Sequence, residues 1–232
     1  MSTSSRGREY NPRPSLEGPV WGVVYAAGSG QRFGGFKQFE RIGESRLVDR
    51  CIAALAPVCD HVVVVLPPSV EWTGPAVSAV VPGGATNPDS VRAGLAAVAA
   101  DAVVIVLHSP SHPLASPTLV RRVVEHLATG VDGACPVAPI HDALRRLDVV
   151  GDIVEAVSNQ HIVSVQMPLA FRADVLRDAL ALDNSGSDAQ TIVERYGARI
   201  GTIVGEPTNI HVTTRAELEM ARYLAPMADH ID

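Results

Sequence analysis

From residue 20 onward the chain alternates short runs of branched apolar residues with stretches whose apolar positions recur every three or four residues. The runs VWGVVYA (20–26), HVVVVLP (61–67) and DAVVIVLH (101–108) have strand length, and unbroken valines are what a strand covered on both faces needs. SAVVPGG and GACPVAP read as two further strands. Between them, SRLVDRCIAALAP sets Leu47, Cys51, Ile52 and Leu55 at helical spacing before Pro57. NPDSVRAGLAAVAA predicts a helix with Asn87 as N-cap and Pro88 at the first helical position, and SPTLVRRVVEHLATG one capped by Ser116 and closed by Gly130. RADVLRDALAL, SDAQTIVERYG and TRAELEMARYLAP complete the helices, the last two opened by capping boxes, Ser187 with Gln190 and Thr214 with Glu217.

Strands alternating with helices predict an α/β domain with a doubly wound, mostly parallel sheet over residues 20–232. One segment breaks the rhythm. Residues 140–166 alternate weakly around a Gly-Asp pair, which predicts an extended hairpin projecting as a β-arm. Its Leu144, Leu147, Val149, Ile153 and Val157 find no partner face in their own domain, so the arm is expected to dimerise the chain.

Composition narrows the function classes. With 232 residues, 47% hydrophobic and a net charge of −6, the chain is an ordinary globular protein without a bulk attraction for nucleic acid or anionic membrane. A basic site has to be local. Aromatic content of 4% leaves little for nucleobase stacking surfaces. Cys51, Cys59 and Cys135 form neither a CxxC nor a zinc spacing and read as reduced, apolar filler in a cytoplasmic protein. Residues 1–19 carry no apolar h-region and are expected to be a disordered leader, and no run has the length of a membrane-spanning helix.

Three loops follow strand ends, residues 26–37, 83–90 and 108–113, and in a doubly wound sheet such loops converge on one site. In the first, Gly28, Gly30, Gly34 and Gly35 let backbone amides turn inward on phosphate oxygens, and Arg32 and Lys37 add positive charge. GSGQRFGG matches neither a GxxxxGK[ST] nor a GxGxxG loop, and a solvated turn with two surface cations is the plain alternative. His108 and His112 are spaced i, i+4 but interrupted by Pro110, so they read as loop histidines and no metal site is expected.

AAGSGQRFGGFKQF resembles the A-A-G-x-G-x-R signature, with a following K-[QP], of nucleotidyltransferases that activate sugars and polyols. Later segments keep register with one such family, the 2-C-methyl-D-erythritol 4-phosphate cytidylyltransferases. PGGATNPDSVRAGL resembles its GG…R…SV segment, LHSPSHP its HDAARP stretch, PIHDALRR its V-x-D-T-x-K/R stretch and TNIHVTTRAELEMA its N-I-K-[VI]-T ending. The resemblance implies a Rossmann-like nucleotidyltransferase fold, a homodimer, and transfer of CMP from CTP to a polyol phosphate with release of pyrophosphate and help from magnesium (Mg2+). It implies catalytic roles for Arg32 and Lys37, and nucleotide binding by Ala26, Ala27, Gly28, Ser29, Gly30, Gly83, Gly84, Ser90 and Ser109. Asp142, Ser187, Asp188 and His211 fall on acceptor-side positions.

Five positions depart from the family pattern. Ser109 replaces an aspartate, His112 an arginine, Asn159 an arginine, His211 a lysine and Asn87 an arginine. Each removes a charge or makes it depend on pH. They leave open a noncatalytic, nucleotide-binding paralogue as the alternative to an enzyme.

Overall fold

The computed structural model describes residues 16–183 and 185–230. Twelve strands are formed among them. In chain order they are β1 (Val20–Tyr25), β2 (Arg41–Ile42), β3 (Ser45–Arg46), β4 (His61–Leu66), β5 (Ala79–Pro82), β6 (Val104–His108), β7 (Gly133–Pro139), β8 (Leu144–Leu147), β9 (Ile153–Val157), β10 (Val163–Val165), β11 (Leu169–Arg172) and β12 (Ile200–Val204). Eight of them make one sheet in the order β10-β7-β11-β6-β1-β4-β5, with β12 alongside β7. The β1–β4, β1–β6, β4–β5 and β7–β12 pairs are parallel; β11 runs antiparallel between β6 and β7, and β10 antiparallel to β7.

The valine runs are explained by what covers them. Val24, Val64, Val104 and Val106 are fully buried against α1 (Leu47–Leu55) and α3 (Pro117–His126). Their neighbours Val23, Val63, Val65 and Leu107 point the other way, into a core shared with α2 (Asn87–Ala96), α4 (Ala173–Leu182) and α5 (Ala189–Arg195). With each such side chain contributing about 1.5–3 kcal/mol by burial, a polar residue at either parity would be strongly unfavourable. The final helix, α6 (Arg215–Ala228), builds a third cluster in which Leu218 and Ala221 meet Phe33, Leu47, Leu114 and Val212. That cluster anchors the first glycine-rich loop and the segment entering α6 to the same body.

Local signals were read correctly at Ser116, whose hydroxyl accepts Leu119 N, at Gly130 with φ 88°, and at the Thr214–Glu217 box. Two caps differ. Thr86, not Asn87, caps α2, because Thr86 and Asp89 form a reciprocal box that places Pro88 in the second helical position. Asp188, not Ser187, caps α5, since its carboxylate accepts both Thr191 N and Thr191 Oγ1 while Gln190 reaches Glu194 instead.

Within the expected leader, residues 1–15 lie outside the described residues, but Leu16 packs on the α1/α3 face and the Pro19 carbonyl accepts Val103 N. Order therefore begins before residue 20. The hairpin is present: β8 and β9 pair antiparallel off the main sheet, closed by a turn in which Asp148 Oδ1 accepts the N–H groups of Val150, Gly151 and Asp152. Its return leg, β10, joins the central sheet, so the projecting part ends before residue 163. Leu147, Val149, Val150, Ile153 and Val154 are exposed on it.

Candidate active site

The chain passes from β1 outward to β4 and β5, then returns to lay β6 on the other side of β1, so strand order switches between β1 and β6. At the carboxyl ends there, the loops open a cleft of about 580 Å³. Its wall comes from residues 25–33, Lys37 and Gln38 after β1, from residues 84–87 and Ser90 at the start of α2, from residues 109–111 after β6, and from Thr213.

The first loop is a tight turn about Gly30, which has φ +65° and whose carbonyl accepts Phe33 N, Gly34 N and Gly35 N at 2.9, 2.8 and 3.2 Å. A Cβ at this position would lie 1.7 Å from the Gly35 carbonyl oxygen, so only glycine fits. Phe33 buries itself in the α6 cluster, and buried Gln38 donates Nε2 to the Gly28 carbonyl at 3.1 Å. Held at both ends, the loop keeps its middle unpaired. Among the described residues, the backbone N–H groups from Ala27 to Arg32 donate to no protein acceptor. Peptide donors left open in a cleft are an anion site.

The charges agree with that. Arg32 is exposed on the wall and makes no hydrogen bond or ion pair with the described residues. Lys37 sits in a 3-10 turn and donates Nζ to Ser111 Oγ at 2.8 Å and to the Val212 carbonyl at 2.7 Å. Burial, and then the Arg32 guanidinium, pull the Lys37 ammonium below its ordinary value, partly opposed by Glu217. Arg32 and Lys37 are the cations of the lining, which includes no Asp or Glu side chain. A locally positive cleft thus exists on a chain of net charge −6.

Ala26, Ala27, Gly28, Ser29, Gly30, Gly84, Ser90 and Ser109 all line this cleft with Arg32 and Lys37. Gly83 stands behind it: a Cβ there would fall 2.2 Å from Ala27 Cβ, so its glycine serves close packing between the first two loops. Ser90 donates its hydroxyl to the Thr86 carbonyl at 3.0 Å. His211 is not in the lining but adjoins it through Thr213, its Nδ1 3.3 Å from Thr213 Oγ1 and its ring stacked 4.9 Å from that of His112. Burial and Lys37 lower the His211 pKa.

Asp142, Ser187 and Asp188 are not part of the lining. Asp142 is exposed at the root of the arm, where Asn159 Nδ2 donates to the Ile140 carbonyl. Ser187 Oγ accepts Arg195 Nη1 at 2.8 Å. Asp188 caps α5, and Tyr25, a residue of the lining, has its phenol pKa raised by burial and, to a lesser degree, by the Asp188 carboxylate. His112 is a loop histidine as expected, whereas His108 is the last residue of β6. Both are buried, and burial pushes each down to about 3. No group of three or more His, Cys, Asp or Glu suited to a metal occurs among the described residues. With no carboxylate among its lining residues, the cleft wall offers Mg2+ no carboxylate anchor.

Lining residues beyond the expected site residues are Tyr25, Gln31, Phe33, Gln38, Ala85, Thr86, Asn87, Pro110, Ser111 and Thr213. The Thr86-x-x-Asp89 pattern signalled one of them. Nothing local distinguishes Ser111 from a loop serine.

An open sheet whose strand-order switch carries unpaired amides, two cations and a helix N-terminus defines an α/β domain of the phosphate-binding, doubly wound class. A family model for IspD, 2-C-methyl-D-erythritol 4-phosphate cytidylyltransferase, matches residues 20–225. The chain belongs to that family. The 2-C-methyl-D-erythritol 4-phosphate cytidylyltransferase of Rhodococcus jostii (strain RHA1) is 39% identical over 223 residues, covering 92% of this chain and 98% of that protein. Its namesake in Nocardia farcinica (strain IFM 10152) is 34% identical over 220 residues, covering 90% and 94%. The crystal structure of the Thermus thermophilus protein of the same name superposes with a TM-score of 0.76 at 27% identity, covering 88% of this chain and 98% of that one.

Proposed function

We propose that this protein transfers the cytidylyl group of CTP to 2-C-methyl-D-erythritol 4-phosphate and releases pyrophosphate. An oxygen of the acceptor phosphate bonds to the α-phosphorus of CTP, the bond from that phosphorus to the β-bridging oxygen breaks, and pyrophosphate leaves with the electron pair. The acceptor is already anionic, so no base is needed. What the site must supply is alignment and positive potential for the charge on the phosphoryl oxygens. The unpaired amides from Ala27 to Arg32 suit the triphosphate, and Arg32 and Lys37 suit the nonbridging oxygens and the departing group. That run of free donors beside two cations is the observation that carries this reading.

The acceptor side is assigned to Asp142, Ser187, Asp188 and His211, and the nucleotide side to the cleft glycines with Ser90 and Ser109. The exposed apolar arm is assigned to a twofold dimer. Exposed Leu147, Ile153 and Val154 support this, and Leu147→Ser with Ile153→Ser should shift the sedimentation coefficient to that of a monomer. Three buried free thiols favour a cytoplasmic setting, and no described helix is long and apolar enough to cross a membrane.

The direct test is incubation with CTP, Mg2+ and the acceptor while pyrophosphate is followed. Stoichiometric pyrophosphate and a CDP-linked product are expected. CTP binding without pyrophosphate would instead leave a noncatalytic nucleotide-binding protein.

A further inference from the structure

The geometry points to Ser111 as the positioning residue that aims Lys37 into the cleft, a role that rests on the proposed cytidylyl transfer. Lys37 Nζ donates to Ser111 Oγ at 2.8 Å and to the Val212 carbonyl at 2.7 Å, so two of its three N–H groups are committed and one remains for a ligand. Both acceptors belong to one junction. Val212 N donates to the Ser111 carbonyl at 2.7 Å, which ties the loop after β6 to the segment entering α6. Ser109 Oγ donates to Ser111 Oγ at 3.2 Å and accepts Ser111 N at 3.3 Å, which fixes the direction of the Ser111 side chain.

Lysine carries its charge on a flexible four-carbon stem, and an ammonium tied at two points has one direction left. Because both acceptors are neutral, the full charge stays available to a phosphate instead of being offset by a carboxylate. The HDAARP stretch that His108–Pro113 resembles has alanine at this position, so the hydroxyl of Ser111 is a departure from that pattern. Ser109 and Ser111 together hold Lys37 from the side where that stretch has a carboxylate.

Ser111→Ala and Ser111→Thr in the intact chain test this with two readouts. The first is an NMR titration of the Lys37 Nζ resonance in the free protein, which needs no turnover. Losing an acceptor that favours the ammonium should move the Ser111→Ala titration to lower pH, and Ser111→Thr should restore it. The second is steady-state kinetics, in which Ser111→Ala should lower kcat about tenfold with KM for CTP within about twofold, again restored by threonine. An unchanged Lys37 titration in Ser111→Ala overturns the inference, as does a loss of kcat that threonine does not restore in a protein of wild-type melting temperature. A wild-type protein that binds CTP yet releases no pyrophosphate would remove the transfer reading, and the Lys37 titration would then decide alone whether Ser111 holds that ammonium.

Discussion

Gly30→Ala isolates the turn that presents the anion site. The substituted residue would have to keep φ +65°, which costs a non-glycine residue about 1–2 kcal/mol. Its Cβ would also lie 1.7 Å from the Gly35 carbonyl oxygen. A carbon and a carbonyl oxygen need about 3.3 Å, so the Gly35 peptide must retreat by about 1.6 Å. The three N–H groups gathered on the Gly30 carbonyl then lose their geometry, and the amides from Ala27 to Arg32 swing with them. Misplacement of about 1 Å in a reacting geometry costs on the order of 100-fold, so kcat/KM should fall about 100-fold, equivalent to about 2.7 kcal/mol. Part of this should appear in stability, because the φ cost of about 1–2 kcal/mol alone moves the melting temperature by about 2–8 °C in a chain of this size. Gly34→Ala is the control, because Gly34 has φ +88° with no atom within 4 Å of an added Cβ and bears only the conformational cost. Pyrophosphate release from CTP and 2-C-methyl-D-erythritol 4-phosphate, with thermal melts of each variant, provides the assay. Gly30→Ala within about threefold of wild type, or Gly34→Ala matching its loss, would refute the turn-based account.

Lys37→Met should lower kcat about 100- to 1000-fold while leaving the melting temperature within a few degrees, checked by the same two measurements. Acid stability should follow the buried histidines. Their folded values near 3 lie below the ordinary 6.5, so the native state binds fewer protons than the unfolded one. Stability is therefore whole above pH 6.5 and is lost as pH falls from there toward 3, by up to about 1.4 kcal/mol per pH unit per histidine, which pH-dependent denaturation will show. His108→Leu should flatten that acid slope, because neither ring nitrogen of His108 has a hydrogen-bond partner among the described residues. Glu206→Gln should lower the unfolding free energy by about 1–3 kcal/mol in urea titrations, since the buried Glu206 carboxylate accepts Ser116 N and Ser116 Oγ at the start of α3.

The fold was legible because burial on both faces writes itself into composition: a strand such as His61–Leu66 has almost no polar position to confuse with a helix. Caps were legible to within one residue. At α2 and α5 two neighbouring polar residues competed for the same role, and the winner depended on which side chain met the third amide. The site was legible where it is made by backbone, as at Gly28–Gly30, and hidden where it is made by long-range contact. Lys37 and Ser111 are 74 positions apart, and Lys37 and Val212 are 175 apart, so their junction leaves no local pattern. What stayed hidden at His108 was the burial of its ring: the run 101–108 ends the strand there as expected, but its pairing with Val24 places the side chain inside the protein.

The departures around Ser109 look like a dismantled site when read one at a time, and the geometry argues otherwise. Relative to the stretch it resembles, the loop after β6 exchanges a carboxylate for Ser109 and a guanidinium for His112, which is buried and neutral at pH 7. Charges of opposite sign are lost together, so the net charge of this loop does not change. Hydrogen bonds from Lys37 to Ser111 and Val212 then hold the ammonium that an ion pair could have held, without offsetting its charge. The same exchange removes the carboxylate that could have anchored a cation in the wall. A requirement for Mg2+ should therefore track the nucleotide and not the protein: apparent Mg2+ affinity in turnover should follow the CTP concentration, and the protein alone should show no Mg2+ binding by calorimetry. Heat from Mg2+ binding to the CTP-free protein at this cleft, abolished by Ser109→Ala, would show that the hydroxyls do more than orient Lys37.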